Sequence, residues 1–155
     1  MPGREVLKES MRINADGIDL GWFAVDKDGH VGFFTSAGSL IVPEAVLQSR
    51  ETYESLSKAI KSLPPAGKGS VQHSGGGNRK DWIEMAARGL FAYDFKSYDT
   101  EVYKNGDYQI IALPSRPLVI ASLSEAVGPA LSAVTMKTVC FAHAKLIEKD
   151  LVIAL

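Results

Sequence analysis

The chain has 155 residues, a length that suits one domain with a buried core. With 46% hydrophobic and 23% charged residues, its composition is that of a globular protein and excludes a disordered or fibrous chain. A formal net charge of −1 argues against a general nucleic-acid binder, because such proteins need an excess of lysine and arginine to neutralise phosphates.

The N-terminal sequence and the cysteine content predict a cytoplasmic protein. No long apolar run follows Arg4, so we expect no signal peptide. No apolar stretch approaches the roughly 20 residues that a membrane span requires, so we expect no membrane association. A single cysteine, Cys140, excludes an internal disulfide and fits a reducing compartment. Residues 1–155 are expected to form a single domain.

Residues 1–20 predict a short helix or an added edge segment. Apolar Val6, Leu7, Met11 and Ile13 precede a turn pattern at Asn14–Gly17. Both alternatives stay open.

A β-hairpin is the first element that the sequence specifies in detail. Asp26–Gly29 is typical of a type I turn whose glycine adopts the left-handed conformation. The turn sets the register of the flanking strands: Trp22 pairs with Phe34, Phe23 with Phe33, Ala24 with Gly32 and Val25 with Val31. Both faces of the pair are therefore apolar, and we expect it to lie inside a larger sheet. Helices should cover Phe23 and Phe33, whereas Trp22 and Phe34 need cover from the chain itself, a second copy or a partner.

Two helices with an intervening loop are predicted next. Apolar residues at helical spacing from Tyr53 to Leu63 indicate an amphipathic helix that ends before Pro64. Residues 66–77 are rich in glycine and serine and predict a flexible loop inside the domain. A second helix is expected between a cap at Asn78 and a terminating Gly89.

A second hairpin is predicted around Asn105–Gly106. Its strands are expected at Thr100–Lys104 and Asp107–Leu113, after a separate strand at Leu90–Phe95. The register stays open, because Tyr108 pairs with Tyr103 across a two-residue turn and with Val102 across a three-residue loop.

The C-terminal third predicts a helix from about Ser122 to Val134, a strand at Lys137–Ala142 and a short strand at Leu151–Leu155. The order of elements indicates an α+β fold. We expect a mainly antiparallel sheet built from two hairpins, at about 22–35 and 100–113, with about three helices packed on it.

No catalytic, metal-binding or cofactor-binding motif is evident. Cys140 and His143 are the nearest thiol and imidazole, but positions three apart on a strand point to opposite faces. The three histidines are too widely spread for a zinc site, and the acidic turns lack the remaining ligands of a calcium loop. The glycines before Asn78 lack the spacing of a phosphate-binding loop. We therefore expect a non-enzymatic protein without a metal or cofactor.

One segment combines aromatic rings with carboxylates. Aromatic residues are enriched at protein interfaces, and carboxylates between them suit a basic partner. The candidate partner-binding residues are Asp94, Tyr98, Asp99, Glu101, Tyr103 and Asp107.

Several runs resemble segments of small bacterial proteins that look like the immunity proteins of polymorphic toxin systems. These runs are Gly21–Asp26, Asp28–Gly38, Val42–Val46, Ala86–Asp94 and Pro114–Leu118. The resemblance implies a compact cytoplasmic α+β domain that binds and blocks a toxin domain. It covers less than a third of the chain and carries no functional residue across.

The leading hypothesis is therefore a protein-binding domain of the immunity type. One alternative is a small enzyme or small-molecule-binding protein whose pocket the sequence does not reveal, with Cys140 and His143 or the glycine-rich loop as participants. The other is a structural homodimer in which the second apolar face of the first hairpin pairs with its own copy.

Overall fold

The computed structural model describes residues 20–48, 50–72, 79–98 and 106–155. Within these ranges it contains a seven-stranded sheet, five α-helices and a 3-10 turn at Ile120–Ser122. The strands are β1 (Gly21–Asp26), β2 (Val31–Thr35), β3 (Gly69–Val71), β4 (Phe91–Ser97), β5 (Gly106–Pro114), β6 (Thr135–Met136) and β7 (Leu146–Glu148). The helices are α1 (Glu44–Gln48), α2 (Arg50–Lys61), α3 (Lys80–Ala87), α4 (Gly128–Ser132) and α5 (Lys149–Ile153).

The sheet is mixed but mostly antiparallel, and the predicted α+β class is confirmed. The strand order is β3-β5-β4-β2-β1-β6, and β7 pairs with β5 beside this path. Four of the strand pairs are antiparallel, whereas β2 with β4 and β1 with β6 are parallel. The two parallel pairs differ from the expected sheet. Parallel strands are joined by long connections, which no local turn pattern in the sequence predicts.

The first hairpin has the predicted register, from Trp22 opposite Phe34 to Val25 opposite Val31. Gly29 has φ of +82°, as its bulge position requires. β6 and β4 flank the hairpin on its two sides, so it lies inside the sheet as expected.

Both apolar faces of the hairpin are buried by the chain itself. On one face, Phe23 and Phe33 pack in a cluster with residues of α2 and α3, which confirms the predicted helical cover. On the other face, Trp22 stacks on Phe34 with ring centroids 4.2 Å apart, and both side chains are fully buried. The surface that motivated the homodimer alternative is therefore already covered within one chain.

Tyr108 completes this second face from β5. Its ring meets Trp22 and Phe34 edge-on, at centroid distances of 5.4 Å. Its hydroxyl accepts a hydrogen bond from Trp22 Nε1 at 3.1 Å and donates one to the carbonyl of Ile41 at 2.6 Å. A buried phenol with its polar group satisfied is a strong determinant of strand register.

The predicted second hairpin is wrong in its pairing. Tyr108 pairs with Phe95 of β4 on one side and with Ile147 of β7 on the other, so the predicted pairing with Tyr103 or Val102 is excluded. Gly106 lies within β5, where a Cβ atom would collide with the Lys96 carbonyl and the Phe95 ring. The glycine thus permits close packing of two strands rather than a turn. The predicted strand Thr100–Lys104 lies outside the described residues.

Other secondary-structure elements predicted from the sequence differ from those in the structure. Gly69–Val71, expected in a flexible loop, pairs with β5 as β3. Residues 137–142 form turns instead of a strand, and the predicted strand Leu151–Leu155 is replaced by α5. Five helices are described instead of about three: α1 and α5 are additional, and the predicted helix from about Ser122 to Val134 is reduced to α4.

Asp26 connects the hairpin turn to the C-terminal region. Its buried carboxylate accepts hydrogen bonds from the amides of Asp28 and His30, both at 2.9 Å, and from the amide of Phe141 at 2.8 Å. The Phe141 amide is therefore satisfied by a side chain and needs no strand partner.

We predict that Asp26→Asn lowers the free energy of unfolding by about 2–4 kcal/mol, because an amide cannot accept from all three N–H groups. Urea denaturation measures the change. Asp28→Asn is the matched control and should stay within about 0.5 kcal/mol of wild type, since its side chain is 45% exposed. Equal losses for both variants would contradict the role given to Asp26.

Tyr93 lies between Asp26 and the same C-terminal segment. Its hydroxyl donates to the Ala144 carbonyl at 2.6 Å, and its ring stacks on Phe34 at 4.9 Å. Burial, with smaller contributions from Asp26 and Cys140, raises the pKa of Tyr93 well above its ordinary value of 10.0.

This raised pKa predicts a loss of stability at alkaline pH. Above pH of about 10 the unfolded chain releases the Tyr93 proton while the folded chain keeps it, so stability falls by up to about 1.4 kcal/mol per pH unit. Tyr93→Phe should be less stable than wild type at pH 8 but should lose less stability between pH 9.5 and 11. Identical slopes for the two proteins, measured by denaturation at each pH, would refute the prediction.

Candidate functional site

One face of the sheet is exposed where β4, β5 and β7 lie side by side. Phe95, Tyr108 and Ile147 are paired across these strands and are all buried on the core side. Because side chains alternate along a strand, the residues between them point the other way. We name this surface the open face; it comprises Asp94, Lys96, Asp107, Gln109, Leu146 and Glu148, together with Tyr98, which directly follows β4 and bonds to Asp107.

The open face is organised in two rows. Asp94, Gln109 and Leu146 lie opposite one another in the first row, and Lys96, Asp107 and Glu148 do so in the second. Three carboxylates and one lysine give the surface a formal charge of −2, whereas the whole chain carries −1. The surface is therefore acidic relative to the rest of the molecule.

Tyr98 supplies the aromatic part of the open face. Its side chain is 51% exposed, and its hydroxyl donates a hydrogen bond to Asp107 Oδ2. This bond is the main cause that raises the pKa of Tyr98 above its ordinary value of 10.0, with desolvation and the Asp107 charge adding to it. The bond also restricts the ring, so that a flat aromatic surface stands beside a carboxylate.

Asp94 is held at the inner border of the open face, next to α3. Its Oδ1 accepts a hydrogen bond from the Thr35 hydroxyl at 2.6 Å, and the same hydroxyl oxygen accepts from Trp82 Nε1 at 3.1 Å. The half-buried Asp94 is thus positioned by β2 and α3 together.

Three of the predicted site residues, Asp94, Tyr98 and Asp107, are brought together on one surface. Asp99, Glu101 and Tyr103 lie outside the described residues, and their role stays a prediction. Sequence reasoning missed Leu146 and Glu148, because only the pairing of β7 with β5 places them here. Leu146 is 52% exposed, although leucine in a short strand predicts burial.

The thiol and imidazole that the enzyme alternative names belong to Cys140 and His143. Cys140 is half-buried and His143 is exposed, and both lie in turns. Oxygen atoms of Asp26 and Asp28 and the sulfur of Cys140 lie within 4.8 Å of one another. The three amide donors to Asp26 account for the position of its carboxylate, so we interpret this group as structural.

An apolar cleft lies between α2 and α4. It has a volume of about 80 Å³, and its lining includes Trp22, Phe23, Tyr53 and Leu56. Among the described residues that line it, Thr52 and Tyr53 alone carry side-chain hydroxyl groups, and none carries a carboxylate, amine, imidazole or thiol. The cleft can hold an apolar group but offers little to orient a reacting substrate.

The chain matches no protein-family model, no curated protein and no solved structure in the comparisons made. Within the described ranges, no helix combines the length and apolar character that crossing a bilayer requires.

The Tyr98–Asp107 bond predicts a measurable coupling. Asp107→Asn should bring the pKa of Tyr98 back toward about 10, because the carboxylate acceptor is lost. NMR titration of ¹³C-labelled tyrosine rings follows each ring separately. Asp94→Asn is the control and should leave the Tyr98 titration unchanged, since Asp94 bonds to Thr35. An unaltered Tyr98 pKa in Asp107→Asn would disprove the coupling.

Proposed function

We propose that the protein is a non-enzymatic binding domain that recognises a basic protein partner through the open face. The observation that carries this proposal is an exposed aromatic ring, Tyr98, beside carboxylates on a sheet whose other face is buried. Exposed tyrosines on a rigid scaffold are typical anchors of protein interfaces. Tyr98 directly follows β4, and its hydrogen bond to Asp107 of β5 holds it against the sheet.

The sequence resemblance supports a more specific role, namely that of an immunity protein that neutralises a cognate bacterial toxin. Toxins that act on nucleic acids need basic surfaces to bind phosphates, and an acidic face complements such a surface. A standard interface takes roughly 20–30 residues from each partner. The open face would form its centre, and the predicted contacts Asp99, Glu101 and Tyr103 would extend it.

The apolar cleft supports a small-molecule-binding function less strongly than the open face supports protein binding. Specific ligand sites combine apolar walls with a few placed polar groups, whereas this lining offers two hydroxyls.

We predict that this chain restores growth when it is co-expressed with a toxic product of the adjacent gene. The two purified proteins should also form a complex. Tyr98→Ala combined with Glu148→Lys should weaken that complex at least about tenfold, because the anchor is lost and one charge is reversed. Isothermal titration calorimetry measures the dissociation constant.

Glu125→Lys is the matched control, since it reverses an exposed carboxylate outside the open face and should leave binding unchanged. Failure of the wild-type chain to bind or protect would overturn the proposed function. Undiminished binding by the double variant would show that the open face is not the binding surface.

A further inference from the structure

The second row of the open face places two like charges side by side. Asp107 of β5 and Glu148 of β7 are directly opposite in an antiparallel pair. Like charges at such positions destabilise a sheet, and Lys96 lies opposite Asp107 on its far side only. The row therefore has one carboxylate in excess, and a cation from outside would relieve the repulsion.

Tyr98 favours a planar cation over a compact one at this position. Its exposed ring stands next to Asp107, to which its hydroxyl is bonded. A cation that approaches this corner meets a π-face and carboxylate oxygens together. Guanidinium groups are planar, stack on aromatic rings and donate two parallel hydrogen bonds to a carboxylate, whereas an ammonium group is a compact point charge.

Leu146 adds an apolar contact for the stem of such a side chain. It is 52% exposed and lies beside Gln109 in the first row, adjacent to the carboxylates of the second. The methylene stem of a long cationic side chain packs on apolar surface while its head stays at charged groups.

From these contacts we propose that the open face binds an arginine side chain of its partner. The guanidinium stacks on Tyr98 and bonds to the Asp107 and Glu148 carboxylates. This inference rests on the proposed function, because it names the chemistry that the same surface recognises. The occupant is a basic protein partner, chosen for its complementarity to the charge of −2 on the open face.

The test uses peptide probes and the full-length protein. Amide spectra are recorded by ¹H–¹⁵N NMR during titration with the peptides Gly-Arg-Gly-Arg-Gly and Gly-Lys-Gly-Lys-Gly at equal charge. We expect the arginine peptide to bind about fivefold tighter. Its shifts should be confined to residues 94–98, 106–109 and 145–149. Tyr98→Ala should abolish the preference for arginine, and Glu148→Gln should weaken both peptides, whereas Glu125→Gln should change neither.

The outcomes separate this inference from the proposed function. Equal affinity for the two peptides, or shifts located elsewhere, would overturn arginine recognition. The binding of a toxin by the wild-type chain and its loss in the double variant would still stand in that case. A variant whose spectrum shows unfolding is replaced by Tyr98→Leu, which keeps an apolar side chain but removes the ring.

Discussion

The burial of Tyr108 is the constraint on which the arrangement of the sheet depends. Its ring packs against Trp22 and Phe34, and its hydroxyl is bonded to Trp22 and to the Ile41 carbonyl. Turning this side chain outward would break both hydrogen bonds and expose the ring. Because side chains alternate, the inward position of Tyr108 directs Asp107 and Gln109 outward. The open face is therefore a consequence of how the core is packed.

The first hairpin could be predicted to the residue because its information is local. The turn Asp26–Gly29 determines which residues face each other, and the alternation of apolar side chains agrees with it. The same reasoning failed at Gly106, where a glycine needed for close packing resembles a glycine needed for a turn. The parallel pairing of β2 with β4 depends on contacts far apart in sequence, which no local pattern contains.

The candidate site also contains residues that local sequence predicts and residues that only the strand pairing places there. The sequence pattern of aromatic rings interleaved with carboxylates predicts Asp94, Tyr98 and Asp107 as site residues. Leu146 and Glu148 join them through the pairing of β7 with β5, and a short apolar run could not reveal that neighbour. The turns near Phe141 were equally hidden, because buried side chains of Asp26 and Tyr93 take the place of a strand partner there.

The bond between Asp26 and the amide of Phe141 has a consequence for the order in which the protein is made. The two residues are 115 positions apart, so Asp26 leaves the ribosome long before its third donor exists. Until then its carboxylate must stay hydrated, because burying an incompletely bonded charge is costly. The hairpin can pair early, but its turn can be sealed from water only when the C-terminal region arrives. Synthesis from the N-terminus thus leaves the final closure of this core to the last segments of the chain.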